Sequence, residues 1–406
     1  MRVLLTTYDS RGGVEPLLGL AVQLQALGAE VVLCAPPDEE FAQRAAGFDV
    51  PLVPFGEPVR VLSEGASRAS EEDVRRQVLG LIDAQFDTVA AAAQGCDALL
   101  SAGLIWTSAG ARSVCEKLGI HYVYASYHPT HLPSPHHPPP EAAGRGLPSN
   151  AAGNRLMWDN NARGANVLFG PTLNGHRASL GMPLVGDLRA YAHTERPWLA
   201  SDPTLGPWPQ PADIDVVQTG AWLLRDERPL PDDLEEFLNA GAPPVYVGFG
   251  SMPLWGAKDL GRTAVEAIRE QGRRALLARG WADLDLIDGA DDCFVVGEVN
   301  QQALFGRVAA AIHHGGAGTT TTAARAGVPQ LVIPQGADQV YWAQRVVELG
   351  IGTACDGPAP PLRSLAFALE AIVTPATEAC ARDVARAMRT DGAAVAAKLL
   401  LDAAGG

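Results

Sequence analysis

The residues best placed to do chemistry stand in one short string, His313-His314-Gly315-Gly316-Ala317-Gly318-Thr319-Thr320. The string follows an apolar run, Val308 to Ile312, that reads as a short buried strand, and it leads into Thr321 to Ala326, which reads as the first turns of a helix. A glycine-rich turn is thereby set at a helix N-terminus. Backbone N–H groups without intrahelical partners and the helix dipole favour an anion there, such as a diphosphate. Gly315, Gly316 and Gly318 let the backbone approach a ligand with no Cβ in the way, and Thr319 adds a hydroxyl donor. His314 can give a phosphate a hydrogen bond or a full charge. Asp338-Gln339, one β-α unit later and beyond Gly327-Val328-Pro329, can hold a polyol. There is no Gly-x-x-x-x-Gly-Lys-Ser/Thr string, and no Gly-x-Gly-x-x-Gly follows the first strand, so neither a lysine phosphate loop nor a dinucleotide fold is indicated.

Elements able to position these residues repeat twice along the chain. Val3 to Thr6, Glu30 to Cys34, Ala98 to Ser101 and His121 to Ala125 read as buried strands separated by helical patterns such as Leu17 to Leu27, with Pro51 to Pro54 at the sheet edge. The alternation predicts a parallel, doubly wound sheet. The stretch Tyr127 to Pro148 is too rich in Pro and His for regular helix or central strand. The Pro-rich segment Asp202 to Asp215 reads as a linker, after which Val245 to Phe249, Arg274 to Leu277, Cys293 to Val296, Ala309 to His313 and Gln330 to Ile333 build a second α/β half. The organisation expected is an N-terminal domain over 1–201, a linker over 202–216, a second domain over 217–385 and a C-terminal helix over 386–406. Ligands sit beyond the carboxyl ends of strands in such sheets. Gly250-Ser251, Arg279-Gly280-Trp281, Val299-Asn300, the His314 loop and Asp338-Gln339 all fall there, so five loops of the second half should converge.

Composition narrows the partners. A length of 406 residues favours two domains. A formal charge of −15 argues against nucleic acid, which needs clustered Lys and Arg. The six cysteines are scattered without a Cys-x-x-Cys, indicating neither a zinc site nor a disulfide framework, and most should be small buried residues. His136-His137 lacks the carboxylate or cysteine that would complete a metal site. No apolar run approaches the roughly 20 residues of a membrane span, and Met1 to Leu5 is too short for a signal-peptide core, so a cytoplasmic protein with no membrane span is expected.

The strings His314 to Thr319, Gly327-Val328-Pro329 and Asp338-Gln339 resemble the donor signature of nucleotide-sugar-dependent glycosyltransferases. Met1 to Leu5, Ser10-Arg11-Gly12, Glu15-Pro16 and Cys34-Ala35-Pro36-Pro37 resemble the bacterial branch that decorates antibiotic aglycones. Val217 to Trp222, Gly248-Phe249-Gly250-Ser251-Met252 and Arg279-Gly280-Trp281 are similar to the vancomycin-group enzymes. The resemblance implies an α/β fold of two facing Rossmann-like doubly wound parallel-sheet domains (GT-B), with a donor/acceptor cleft between them. It implies a metal-independent, inverting transfer of a sugar from a dTDP- or UDP-sugar to a hydroxyl of a small-molecule aglycone, a polyketide, macrocycle or glycopeptide. The nucleotide sugar would be a co-substrate, with no cofactor. By the same resemblance Trp281 would stack on the base, Val299 would bond it through the backbone, and Ser251, His314, Gly316, Ala317, Gly318 and Thr319 would hold the diphosphate. Asp338 and Gln339 would take sugar hydroxyls, Ser10, Arg11 and Gly12 would complete the donor site, and the last helix, Ala393 to Leu401, would return to the N-terminal half. Plant relatives carry a glutamate eight positions after the loop histidine; this chain has Thr322, which favours thymidine over uridine diphosphate.

Attack on an anomeric carbon needs a base at the acceptor hydroxyl. The related antibiotic transferases read Gly-Ser-Arg-Gly-Asp-Val after the first strand and use the last Asp. This chain reads Tyr8-Asp9-Ser10-Arg11-Gly12-Gly13-Val14, with Gly13 in that place. Three accounts stand open: Asp9 serves from its shifted position, His128 or His131 serves instead, or an acidic acceptor such as a phenol needs no base. On the first account Gly13→Asp should be neutral or mildly activating. The acceptor should meet Trp106, Tyr127, His128 and His131, with Leu132 and Trp158 as further candidates. Two alternatives use the same architecture: a nucleotide-sugar epimerase, which would have no use for a Pro- and aromatic-rich acceptor face, and a catalytically silent partner protein, which would not retain both the His314 loop and Asp338-Gln339.

Overall fold

The computed structural model describes residues 1–65, 70–140, 150–251, 259–285, 288–336 and 338–405. Met252, Ala337 and residues 141–148 of the strings read above lie outside them. The chain forms two compact units. The first comprises Met1–Pro203, Pro207–Leu224 and Arg389–Gly406; the second comprises Thr204–Gly206 and Arg225–Met388.

The first unit holds seven parallel strands: β1 (Arg2–Thr7), β2 (Glu30–Ala35), β3 (Leu52–Pro54), β4 (Ala98–Ala102), β5 (His121–Ser126), β6 (Trp198–Leu199) and β7 (Val217–Gln218). Their order is β3-β2-β1-β4-β5-β6-β7. Alternation along β1 sends its side chains to two cores, as a strand period of two requires. Val3 and Leu5 pack with Leu17, Leu20 and Leu24 of the helix Arg11–Ala26 and with Ala396 and Leu400 of the last helix, Gly392–Gly405. Leu4 packs on the other face with Cys34, Leu99 and Val114.

Apart from Thr204–Gly206, the Pro-rich segment expected as a linker is part of this unit instead. Its prolines exclude regular helix, but its apolar residues still demand burial. Trp208 joins Tyr124, Leu132 and Leu199 in a cluster against which Ile214 and Val216 pack, and β7 extends the sheet beside β6. The first sheet therefore runs on to Gln218, and the second unit resumes only at Arg225.

The second unit holds β8 (Val245–Gly248), β9 (Ala275–Ala278), β10 (Cys293–Val296), β11 (Ala310–His313), β12 (Gln330–Val332) and β13 (Gly352–Ala354), all parallel, in the order β10-β9-β8-β11-β12-β13. Its edge strand β13 is three residues long and only half-buried, too short and too polar an environment to show as an apolar run. In both sheets the strand order reverses at the first strand of the unit: between β1 and β4 in one, between β8 and β11 in the other. Such reversals open a crevice where the loops leave in opposite directions.

None of the six cysteines forms a disulfide; all but Cys380 are buried, and burial raises the Cys34 thiol to about 12. No single helix among the described residues is long and apolar enough to cross a membrane.

Candidate functional site

In the second unit the reversal lies between the ends of β8 and β11, and these are where Gly250-Ser251 and His314 leave the sheet. The two adjacent histidines have separate tasks. His313, the last residue of β11, is fully buried. Its Nδ1 accepts the Gly315 N–H at 3.0 Å, which places the ring proton on Nε2, and Nε2–H donates to Gln330 Oε1 at 2.9 Å. His313 thus braces the turn. His314 lies beyond it with its ring against Gly250 and Gly316; a Cβ on either glycine would come within 3.2 Å of its Cε1. Only glycines admit the ring there. Burial, with His313 as a lesser influence, lowers His314 to about 3, so it is a neutral imidazole, and its Nδ1 is buried without a hydrogen-bond partner in the chain. The full charge considered from sequence is therefore absent in the ligand-free protein; what this ring offers an anion is a neutral N–H.

Gly316 caps the helix Ala317–Arg325 through its backbone alone, and the first intrahelical bond runs from Thr320 N–H to the Gly316 carbonyl at 2.9 Å. The N–H groups of Ala317, Gly318 and Thr319 precede it and have no helical acceptor. Thr320, Thr321 and Thr322 each turn their hydroxyl back onto the carbonyl four residues earlier, at 2.7–2.9 Å. Thr319 has no helical carbonyl at that spacing, which leaves its hydroxyl for another acceptor. The Thr322 hydroxyl, at the place of the plant glutamate, is spent on the Gly318 carbonyl.

The neighbouring loops are tied to this one. The Trp281 N–H donates to the Gly250 carbonyl at 2.9 Å, and a Cβ on Gly280 would sit 2.6 Å from the same oxygen, so the β8 and β9 loops meet backbone to backbone beside the half-buried Ser251 and Trp281. Val299 is buried in the core with Leu304 and Phe305, which leaves only its backbone for a ligand. Asn300 caps the next short helix by accepting from Ala303 N–H and donates to the carbonyls of Asp226 and Arg228. Asp338 Oδ2 accepts from the Trp342 indole at 3.0 Å, and Gln339 Oε1 accepts from the Gln335 N–H at 2.7 Å. Both side chains are oriented by these bonds.

In the first unit, Asp9, Ser10 and Gly12 follow β1. The Ser10 N–H donates to Asp9 Oδ1 at 2.6 Å, and the Arg11 guanidinium pairs at 3.2 Å with Glu15, which also takes Arg44 at 2.8 Å. The Asp9 side chain lies directly over Gly13. A Cβ there would be 2.7 Å from Oδ2 and 2.8 Å from Cγ, so Gly13→Asp, expected above to be neutral, would instead collide. The atom nearest that Cβ is the Asp9 Cβ, so the clash is set by the backbone path between positions 9 and 13, which residue order alone does not give.

Beside this crevice is a cavity of about 1190 Å³. Gly103, which follows β4, and Tyr124 of β5 line it, and one face of the helix Ala151–Ser179 supplies Trp158, Asn161, Ala165 and Phe169. Of the residues named above for an acceptor, Trp106, His131 and Trp158 line this cavity. Tyr127, His128 and Leu132 do not. The Tyr127 hydroxyl donates to the Gly13 carbonyl at 2.8 Å and its ring packs edge-on against Trp222 at 6.1 Å; His128 is buried with Nδ1 against Thr130 Oγ1 at 2.8 Å. Burial lowers His128 to about 3, a poor basicity for a general base. His193 also lines the cavity, and no local pattern marked it, because its burial comes from packing against β5. His136 and His137 make hydrogen bonds to the carbonyls of Pro211 and Pro138, and among the described residues no three His, Cys, Asp or Glu side chains gather as a metal set.

Comparison with known proteins follows the same lines. Residues 284–398 match the family described as "Erythromycin biosynthesis protein CIII-like, C-terminal domain". The chain is 53% identical to vancomycin aglycone glucosyltransferase of Amycolatopsis orientalis over 99% of its own length and 98% of that protein, and 48% identical to dTDP-epi-vancosaminyltransferase of the same organism, again over 99% and 98%. Among solved structures it is similar to the glycotransferase of kitacinnamycin, with a TM-score of 0.74 and 20% identity, covering 99% of this chain and 98% of that one. It is also similar to the glycosyltransferase VinC in complex with dTDP, with a TM-score of 0.68 and 19% identity over the whole of both chains.

Proposed function

Because the chain belongs to the vancomycin-group antibiotic glycosyltransferases, we propose that it moves a sugar from a dTDP-sugar to a hydroxyl of an aromatic antibiotic aglycone, inverting the anomeric centre without a metal. The observation that carries the donor half is the neutral, buried His314 between Gly250 and Gly316, with the helix Ala317–Arg325 opening beside it. Its ring N–H, the leading N–H groups of that helix and the hydroxyls of Ser251 and Thr319 receive the diphosphate. Trp281 stacks on the base, the Val299 backbone bonds its edge, and Asp338 and Gln339 take sugar hydroxyls. The engaged Thr322 hydroxyl offers no carboxylate for a ribose 2′-OH and favours thymidine, in keeping with a relative whose name specifies a dTDP-linked sugar.

The acceptor half belongs to the first unit. Its cavity takes the body of the aglycone, and Asp9, at the strand-order reversal, takes the proton of the attacking hydroxyl. The epimerase alternative has no counterpart among these relatives, which are named as transferases. Incubation with vancomycin aglycone and other phenolic or macrocyclic aglycones, against a panel of nucleotide sugars read by mass, tests the reading. A glycosylated product is expected with a dTDP-sugar, in EDTA as well as without it. Sugar-nucleotide turnover with no aglycone product, or activity that returns from EDTA only with Mg²⁺ or Mn²⁺, would refute it.

A further inference from the structure

His193 closes the helix Leu188–His193 and is 3% exposed, and its Nε2 is buried without a hydrogen-bond partner in the chain. Its ring lies 4.5 Å from that of Tyr124, whose own hydroxyl is committed to the Gly103 carbonyl at 2.6 Å. His193, Tyr124, Gly103 and His131 all face the cavity of the first unit, whose other walls include the rings of Trp106 and Phe169. Burial, with lesser influences from Arg189 and His131, lowers His193 to about 3; the ring is neutral and carries one N–H and one lone pair. A buried polar atom left unmet is destabilising until a bound molecule meets it. A cavity walled by aromatic and apolar side chains with a few convergent polar groups has the make-up of a small-molecule site.

We propose that His193 determines acceptor specificity: its Nε2 hydrogen-bonds a hydroxyl on the aromatic body of the aglycone seated in this cavity. That hydroxyl is not the one that receives the sugar. Asp9 follows β1 and His193 packs on β5, with β4 between them, a separation of two strand spacings or roughly 10 Å. The choice of substrate rests on the transfer reading above, whereas the hydroxyl-seeking cavity does not.

The test titrates the full chain with 2-naphthol and with 2-fluoronaphthalene, the same aromatic body without the hydroxyl, using the fluorescence of Trp106 and Trp158 in the cavity. The wild-type protein should favour naphthol by about 10-fold, the scale of one hydrogen bond. His193→Phe should abolish that preference and His193→Gln, whose amide can reach the same hydroxyl, should restore part of it. In turnover with vancomycin aglycone and a dTDP-sugar, His193→Phe should raise the acceptor KM by about 10-fold and leave kcat and the donor KM unchanged. Equal affinity of the wild type for both probes, or a preference that survives in folded His193→Phe, overturns the proposal. If His193→Phe does not fold, the wild-type probe pair and His193→Gln decide. Naphthol preference without transfer to any aglycone would leave this site standing and remove the transfer reading.

Discussion

The carboxylate of Asp9 fills the space above Gly13 that any side chain at position 13 would need, with Oδ2 only 2.7 Å from where a Cβ would stand. The two positions are mutually exclusive: a carboxylate can be presented at this end of β1 from one or the other. The Ser10 N–H, 2.6 Å from Oδ1, fixes the carboxylate against the opening of the helix Arg11–Ala26. Tyr127, bonded to the Gly13 carbonyl, holds the backbone beneath it.

Asp9→Asn should lower kcat by about 10²–10⁴-fold, the usual contribution of a positioned base, and leave the affinity for dTDP unchanged. Steady-state rates and calorimetry separate the two effects. With a phenolic acceptor the loss should shrink as pH rises toward the phenol pKa of about 10, since the hydroxyl then ionises by itself. Full activity of Asp9→Asn on an aliphatic alcohol would rule out Asp9 as the base.

Gly13→Asp alone should reduce both activity and thermal stability, by roughly 1–3 kcal/mol for overpacking. The reciprocal exchange, Asp9→Gly with Gly13→Asp, should recover a substantial part of the rate because it clears the clash and returns one carboxylate to the crevice. An exchange variant no better than Gly13→Asp alone would show that the collision is not what costs activity.

His314→Ala should weaken dTDP binding by about 1.5–3 kcal/mol, the value of a hydrogen bond to a charged group. Trp281→Ala should cost about 1–3 kcal/mol through lost base stacking. His313→Ala should lower nucleotide affinity and melting temperature together, because the Gly315 turn loses its brace. Calorimetric titration with dTDP, beside thermal melts, distinguishes these; unchanged affinity in both His314→Ala and Trp281→Ala would place the nucleotide elsewhere.

Burial lowers His128, His193 and His314 to about 3 and His137 and His313 to about 4, below the value of about 6.5 for an unfolded histidine. Above that unfolded value both states are neutral and the full stability is present. As pH falls below 6.5, the unfolded chain takes up protons that the folded chain refuses, and stability is lost at up to about 1.4 kcal/mol per pH unit for each group. The ligand-free melting temperature should therefore drop steadily between pH 7 and pH 5. A flat profile over that range would mean that these rings are not held neutral in solution.

Local pattern determined a large share of this protein. Apolar runs such as Val3 to Thr6 and Ala309 to His313 can be little other than buried strands, and the glycines around His314 are needed where a backbone closes on a ring, so the fold class and the glycine-rich turn into a helix were both legible in residue order. What depends on residues far apart in sequence was not. The segment Asp202 to Asp215 reads as a linker by its prolines, yet Trp208 within it buries against Tyr124, and β7 just beyond it completes the first sheet. Of two adjacent histidines, only the contact of His313 with Gln330 tells which one is the brace. Tyr127 and His128 share a Pro- and His-rich stretch with His131, but hydrogen bonds to Gly13 and Thr130 commit them to the framework, while His193, from a helix more than 60 residues later, lines the cavity. Sequence specifies which side chains can do chemistry through short-range geometry. Which of them face a ligand is decided by packing, because burial and partner choice are set by neighbours that only the folded chain brings together.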